Sequence, residues 1–159
     1  MIEITDTVKC YGHIQGIIEY ESGETEIIEF SNALLNKGRE ALAACVGHDI
    51  GNSFQLYVNR MLFGDGGTAD GSTKYVASSR NGLFGITQAS KPVIASIDPN
   101  IPSQVIFTSV LSFSDANGAV LSEMALQLAN GNLYSMATFP NLTKTAQMQI
   151  IWNWRLSYV

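Results

Sequence analysis

Charge is what this chain has least of. Only 14% of its 159 residues are Asp, Glu, Lys or Arg, while 46% are hydrophobic; ordinary globular proteins carry about 25% charge. A surface so poor in charge suggests that part of it is buried against something else, as in an assembly component or an obligate oligomer. Bases are scarcest: nine Lys and Arg against fourteen acids give a formal net charge of −5. So few cations cannot neutralise a row of phosphates, which excludes nucleic acid as the expected partner. The imbalance is also local. Residues 1–30 carry seven acids (Glu3, Asp6, Glu19, Glu21, Glu24, Glu26, Glu29) against one base, Lys9, for −6; the other 129 residues carry seven acids and eight bases, for +1. The simplest reading of the acidic cluster is a solvated hairpin. The sharper one is a docking patch for a basic partner surface.

Cysteine and histidine are nearly missing, with two of each. Cys10 and Cys45 make no disulfide framework, and their spacing fits no zinc pattern. No apolar run approaches the ~18 residues of a membrane span. The start, "MIEITDTVKC", lacks the basic beginning and apolar core of a signal peptide. Synthesis in a reducing cytosol with both thiols free is the expectation, with no membrane partner, metal or cofactor. A chain of 159 residues suits one domain and is long enough to bury a core without staples. No repeat, linker or low-complexity segment divides it.

What is present is strand pattern. Residues 7–20, "TVKCYGHIQGIIEY", alternate loosely and are rich in β-branched and aromatic types. "ESGE" turns the chain, with Gly23 free to take a positive φ, and Thr25–Phe30 returns as the second arm of a hairpin. The period then changes. In "SNALLNKGREALAACVG", Leu34, Leu35, Gly38, Ala41, Leu42, Cys45 and Val46 share one helical face. A helix near residues 32–46 follows, capped by Ser31 or Asn32 and stopped by a left-handed Gly47. Gly38 costs about 1 kcal/mol there relative to alanine, which a close backbone approach to the sheet would offset.

Strands resume at 53–63, with Phe54, Leu56 and Val58 on one side. "GLFGITQAS" and "KPVIASID" supply one or two more, and Pro92 suits an edge. Residues 103–114 read as a long strand with Val105, Phe107, Ser109, Leu111 and Phe113 on one face. "AVLSEMALQLA" has helical propensity, but its length and the "NGN" turn after it favour a strand. "LYSMATF" returns, "PNLTK" reads as a loop, and the last fifteen residues close as a strand. Eight or nine strands and one helix predict a mainly β fold. The expected form is a two-sheet sandwich of jelly-roll-like topology in a single domain over 1–159, with the acidic hairpin at 1–30, the helix at 31–47 and the main strands at 53–159.

Chemistry is thinly represented. In "FGDGGTADGS" (63–72), Gly66 and Gly71 have P-loop separation, but Ser72, Thr73 and Lys74 follow in the wrong order and no helix is expected there. Asp65 and Asp70 lack the twelfth-position glutamate of an EF-hand, which leaves an irregular calcium site as the alternative to a flexible connecting loop. His13 and His48 could each be imagined as a base beside Cys45, but nothing in the spacing marks a pair, and cysteine on an apolar helix face is ordinarily packing. No catalytic elbow, zincin motif or framed carboxylate pair occurs, so an enzyme is not expected and no catalytic, cofactor-binding or metal-ligating residue is nominated. Asn141-Leu142-Thr143 fits a glycosylation sequon, read as incidental. Trp152, Trp154 and Tyr158 share a face of the last strand and suit a core or interface better than a sugar-stacking platform.

Four segments together resemble small structural proteins of tailed-phage virions: "SNALLNKGREALA", "MLFGDGGT" (61–68), "RNGLFG" (80–85), and the C-terminal run from "LSEMALQLANGN" to "IIWNWRLSYV". The likeness spans roughly residues 30–159 and leaves the acidic hairpin outside. It implies a β-sandwich, often trimeric or dimeric, bound to a symmetric shell, and no catalytic residues. Among such proteins a compact acidic domain most resembles a capsid decoration, or cement, protein. That implies binding to the major capsid protein, residence on the virion surface and stabilisation of the head. Tail, baseplate or fibre-attachment components are the alternative within the resemblance, and a carbohydrate- or receptor-binding module the alternative outside it.

Overall fold

A computed structural model describes residues 7–47 and 55–159. Two five-stranded antiparallel sheets pack face to face, as the strand pattern predicts. The first runs β2(Thr25–Ser31), β1(Cys10–Tyr20), β12(Met148–Tyr158), β9(Gln104–Leu111), β8(Ile94–Ser96). The second runs β3(Ala33–Leu34), β11(Leu133–Thr143), β10(Val120–Leu128), β4(Val58–Gly64), β7(Thr87–Pro92). A separate two-stranded ribbon, β5(Thr68–Ala69) with β6(Ser72–Thr73), lies against β11, and α1(Asn36–Val46) also packs against β11. The first and last long strands pair along their whole length, Cys10↔Tyr158 to Tyr20↔Met148. The chain changes sheets at β2–β3, β7–β8, β9–β10 and β11–β12, while β1–β2, β8–β9 and β10–β11 are hairpins within one sheet.

The acidic hairpin is built into the first sheet. Its acids Glu21, Glu24, Glu26 and Glu29 lie on exposed residues, but Ile14 and Ile18 are fully buried, as alternation within a half-buried strand requires. Gly16 faces Trp152 across the β1–β12 ladder, and a Cβ there would come within 2.7 Å of the indole. A strand interior tolerates glycine where a large neighbour needs the space. Trp152 then sits among Phe63 at 5.7 Å, Phe139 at 5.8 Å and Phe30 at 6.1 Å between ring centroids. Aromatic pairs at such offsets contribute beyond their buried area.

Several boundaries differ from the sequence reading. The helix begins at Asn36, not 32; Ser31 closes β2, Ala33–Leu34 forms β3, and Leu35 takes the N-cap position with no side-chain cap. Pairing with β11 at Ser135↔Leu34 outweighs the local capping signal. Gly47 ends the helix at φ −76, without a left-handed turn. The helix rests on β11 through Gly38 and Ala41, whereas Cys45 is exposed and Val46 is 90% exposed. A Cβ on Gly38 would lie 2.3 Å from the Tyr134 carbonyl, the close approach its position predicts. "PNLTK" is not a loop as far as Thr143: β11 continues through Pro140, pairing Leu142 with Leu121 and Thr143 with Val120. Phe113 lies in the turn after β9, and the strand expected at 53–63 starts at Val58, with Leu56 ahead of it and Phe54 outside the described residues.

Both faces of the second sheet are covered. Its inner face meets the first sheet, and on its outer face Leu62, Ala125, Leu133 and Met136 lie under Leu35, Val76, Leu83 and Phe84 in a second small core. The outer face of the first sheet has no such cover: among the described residues no element packs across it.

Candidate interaction surface

Three of the four segments behind the phage resemblance converge on one buried carboxylate. Glu123, in the middle of β10, is fully buried. Its Oε1 accepts hydrogen bonds from the backbone N–H of Gly66 (2.9 Å) and Gly85 (2.8 Å), and its Oε2 accepts one from Phe84 N–H (2.7 Å). The side chain thus ties "FGDGG" to "NGLFG". Asp65 adds two bonds, accepting from Ile86 N–H at 2.8 Å and Gln88 Nε2 at 2.7 Å. Arg80 lies 3.6 Å over the Phe84 ring and donates to the carbonyls of Gly82 and Leu83. Close approach explains the glycines: a Cβ on Gly66 would fall 2.2 Å from Gly85 N, and one on Gly67 1.9 Å from the Ser122 carbonyl. The only sequence signal for this hub is a lone acid inside the apolar run "LSEMALQL", since buried charge persists where it is hydrogen-bonded.

The same geometry places the residues that the sequence offered as candidates. Residues 63–72 form a pinned turn followed by a hairpin, in which Asp70 (φ 50) and Gly71 (φ 78) make the tight Asp-Gly turn between β5 and β6. Asp65 holds the neighbouring loop and Asp70 supplies a turn. Among the described residues no group of three or more His, Cys, Asp or Glu is gathered to hold a metal. His13 lies on the exposed face of the first sheet, 3.8 Å from Glu29, while Cys45 is exposed on α1; no hydrogen bond joins them. His48 is outside the described residues. Cys10 is half-buried, and burial pushes its thiol above the ordinary value, which makes it a poor nucleophile. Trp152 and Trp154 are fully buried, so neither can stack on a sugar, and Tyr158 is half-buried with its hydroxyl against that of Tyr134. Lys144 is buried too; its Nζ donates to Asn117 Oδ1 and the Thr145 carbonyl, and desolvation lowers its pKa.

What remains outward is the bare face of the first sheet. Ladder register aligns Ile27, Ile17, Ile151 and Val110 in one row across β2, β1, β12 and β9. Ile27 is 59% and Val110 39% exposed. The next row is Glu29, Gln15, Asn153, Thr108 and Ile94, laced by Gln15 Nε2 to Glu29 (3.1 Å) and Thr108 Oγ1 to Asn153 (2.9 Å). The row after it carries His13, Arg155 and Ile106.

No family model, curated protein or solved structure matches the chain. The open face is an apolar stripe bordered by amides, with Glu29, His13 and Arg155 in the rows beside it. Such composition suits a protein contact, because the fully buried centre of an interface is depleted in charge. Sequence alternation implies that alternate positions within one strand share a face. It could not show that β1 and β12 are neighbours in one register, nor that their outer face is left open, since both depend on the path of distant segments.

Proposed function

We propose that the protein is a non-enzymatic structural component of a tailed-phage virion that binds the capsid surface and stabilises the head as a decoration protein. The observation that carries the reading is the open face of the first sheet. Its row Ile27–Ile17–Ile151–Val110 gives apolar area, and its low charge keeps the desolvation cost small. The resemblance of residues 30–159 to phage structural proteins supplies the partner, the major capsid protein, and an oligomer, trimer or dimer, as the binding unit. Binding at many equivalent sites would stabilise a shell by mass action. A tail or baseplate component would use the same face and is the second reading.

Sedimentation of the purified protein, alone and with undecorated heads, tests it. The reading expects an oligomer that pellets with heads to a saturating, symmetric stoichiometry. Ile151→Glu, on the half-buried outward row, should leave the fold intact and abolish pelleting. Binding to tails in place of heads selects the second reading. A wild-type protein that binds neither overturns both.

A further inference from the structure

The open edge of the first sheet, β2, carries a second kind of surface. Tyr20 N–H donates to the Glu24 carbonyl at 2.9 Å, which fixes the alternation of the β1–β2 ladder. The pairs Ile18↔Glu26, Gly16↔Ile28 and Ile14↔Phe30 are then the hydrogen-bonded ones, and the N–H and C=O groups of Thr25, Ile27 and Glu29 point away from the sheet. Nothing pairs with that edge among the described residues. Beside it, where the two sheets part, lies a cavity of about 350 Å³ lined by Ile28 and Phe30 of β2 and by Phe139, Pro140 and Leu142 of β11. Its floor is the stacked pair Phe30–Phe139, with ring centroids 4.8 Å apart. Glu26 stands at its end on the same face of β2 and accepts a hydrogen bond from Tyr20 Oη, whereas Glu29 points to the outer face of the sheet beside Gln15 and His13.

We infer that β2 and this groove form a docking site for an extended, basic segment of a partner protein, which adds to the sheet as a further strand. Strand addition needs an unpaired edge for main-chain bonds and a pocket for alternate side chains, and both are present. Charge selects the occupant. The exposed acids Glu21, Glu24, Glu26 and Glu29 cluster along the β1–β2 turn and β2, and β2 itself carries no base. A second copy of the chain docking edge to edge would bring two acidic β2 strands, with no base on either, side by side, which like-charge repulsion disfavours. A segment with lysine or arginine alternating with aliphatic residues puts its apolar side chains into the groove and turns its cations to the outer side, toward Glu29. The inference does not depend on which particle or protein carries that segment.

The test uses the full chain, isotope-labelled for NMR, with three synthetic probes: an alternating lysine–valine peptide, its glutamate–valine counterpart, and the lysine–valine peptide interrupted by a central proline. Binding of the first alone is expected, with shift changes at Thr25, Ile27, Glu29 and the groove residues, new exchange protection at those three amides, and weakening as salt rises. Joint substitution of Glu26→Lys and Glu29→Lys should weaken that peptide by about threefold to tenfold, the scale of one exposed charge contact turned from attraction to repulsion, and admit the glutamate–valine peptide. Ile27→Pro removes an outward N–H without breaking the β1 ladder. It should fold and bind the lysine–valine peptide measurably more weakly. Shift changes confined to the outer sheet face, equal binding of the proline-interrupted probe, indifference to both sets of substitutions, or no binding of the lysine–valine peptide would each overturn the inference.

Discussion

Replacing Glu123 with glutamine tests whether one carboxylate organises the glycine-rich loops. The change keeps the side chain's shape but turns one acceptor oxygen into an N–H donor. If Nε2 takes the Oε2 position it faces Phe84 N–H; if it takes the Oε1 position it faces the N–H groups of Gly66 and Gly85. The first arrangement sacrifices only one bond and is preferred. A stranded buried donor costs about 1–3 kcal/mol, and bonds to a neutral acceptor are roughly half as strong as those to a charged one. Gly85 is exposed and its N–H can turn to water, so it is left out of the sum. The expected loss is about 2–3 kcal/mol, which for a chain of this length lowers Tm by about 5–10 °C. Thermal unfolding followed by circular dichroism measures it, with the exposed Glu24→Gln as control. Amide exchange at Phe84 and Gly66 should accelerate at the same time. A Tm within about 1 °C of wild type, or unchanged protection at both amides, would refute the assignment of Glu123 as the hub.

Other perturbations probe other parts of the fold. Trp152→Ala empties the centre of the aromatic cluster and should cost about 3–5 kcal/mol in urea unfolding; a folded, equally stable variant would return Trp152 to the list of ligand contacts. Gly38→Ala gains helix propensity but drives a Cβ to 2.3 Å from the Tyr134 carbonyl, so it should destabilise by about 1–3 kcal/mol, and stabilisation would disprove the close approach. Asp115 is held down at about 2, chiefly by its hydrogen bond from Lys91 Nζ, with bonds from Ser112 helping against desolvation. Because the folded value lies below the unfolded one, its contribution is fully present above about pH 4 and lost as pH falls through about 2. Asp115→Asn should flatten that part of the stability profile, and urea midpoints at pH 5, 3 and 2 that fall in parallel for both proteins would contradict it.

Alternation in β1, β9 and β12 already assigned the two-sheet sandwich, because a strand with one buried face must repeat with period two. The "LSEMALQL" segment was legible as a strand from its length and the turn beyond it, and Gly38 as a point of close approach from its place on the helix's apolar face. Where contacts between distant segments compete with local preference, local preference lost. Ser31 and Asn32 signal a helix cap, yet pairing with β11 takes Ala33–Leu34 into the sheet. Pro140 and the polar residues after it read as a loop, yet β11 runs on to Thr143 beside β10.

Composition and charge fixed where the acids lie and how little charge the surface carries. They did not disclose that "FGDGG" and "NGLFG" hang from Glu123, because a carboxylate's worth depends on donors brought from elsewhere in the chain. Nor could they distinguish the covered face of one sheet from the open face of the other. Pattern along a strand reports which side chains share a face; only the path of the whole chain decides whether that face meets a core, a loop or a partner.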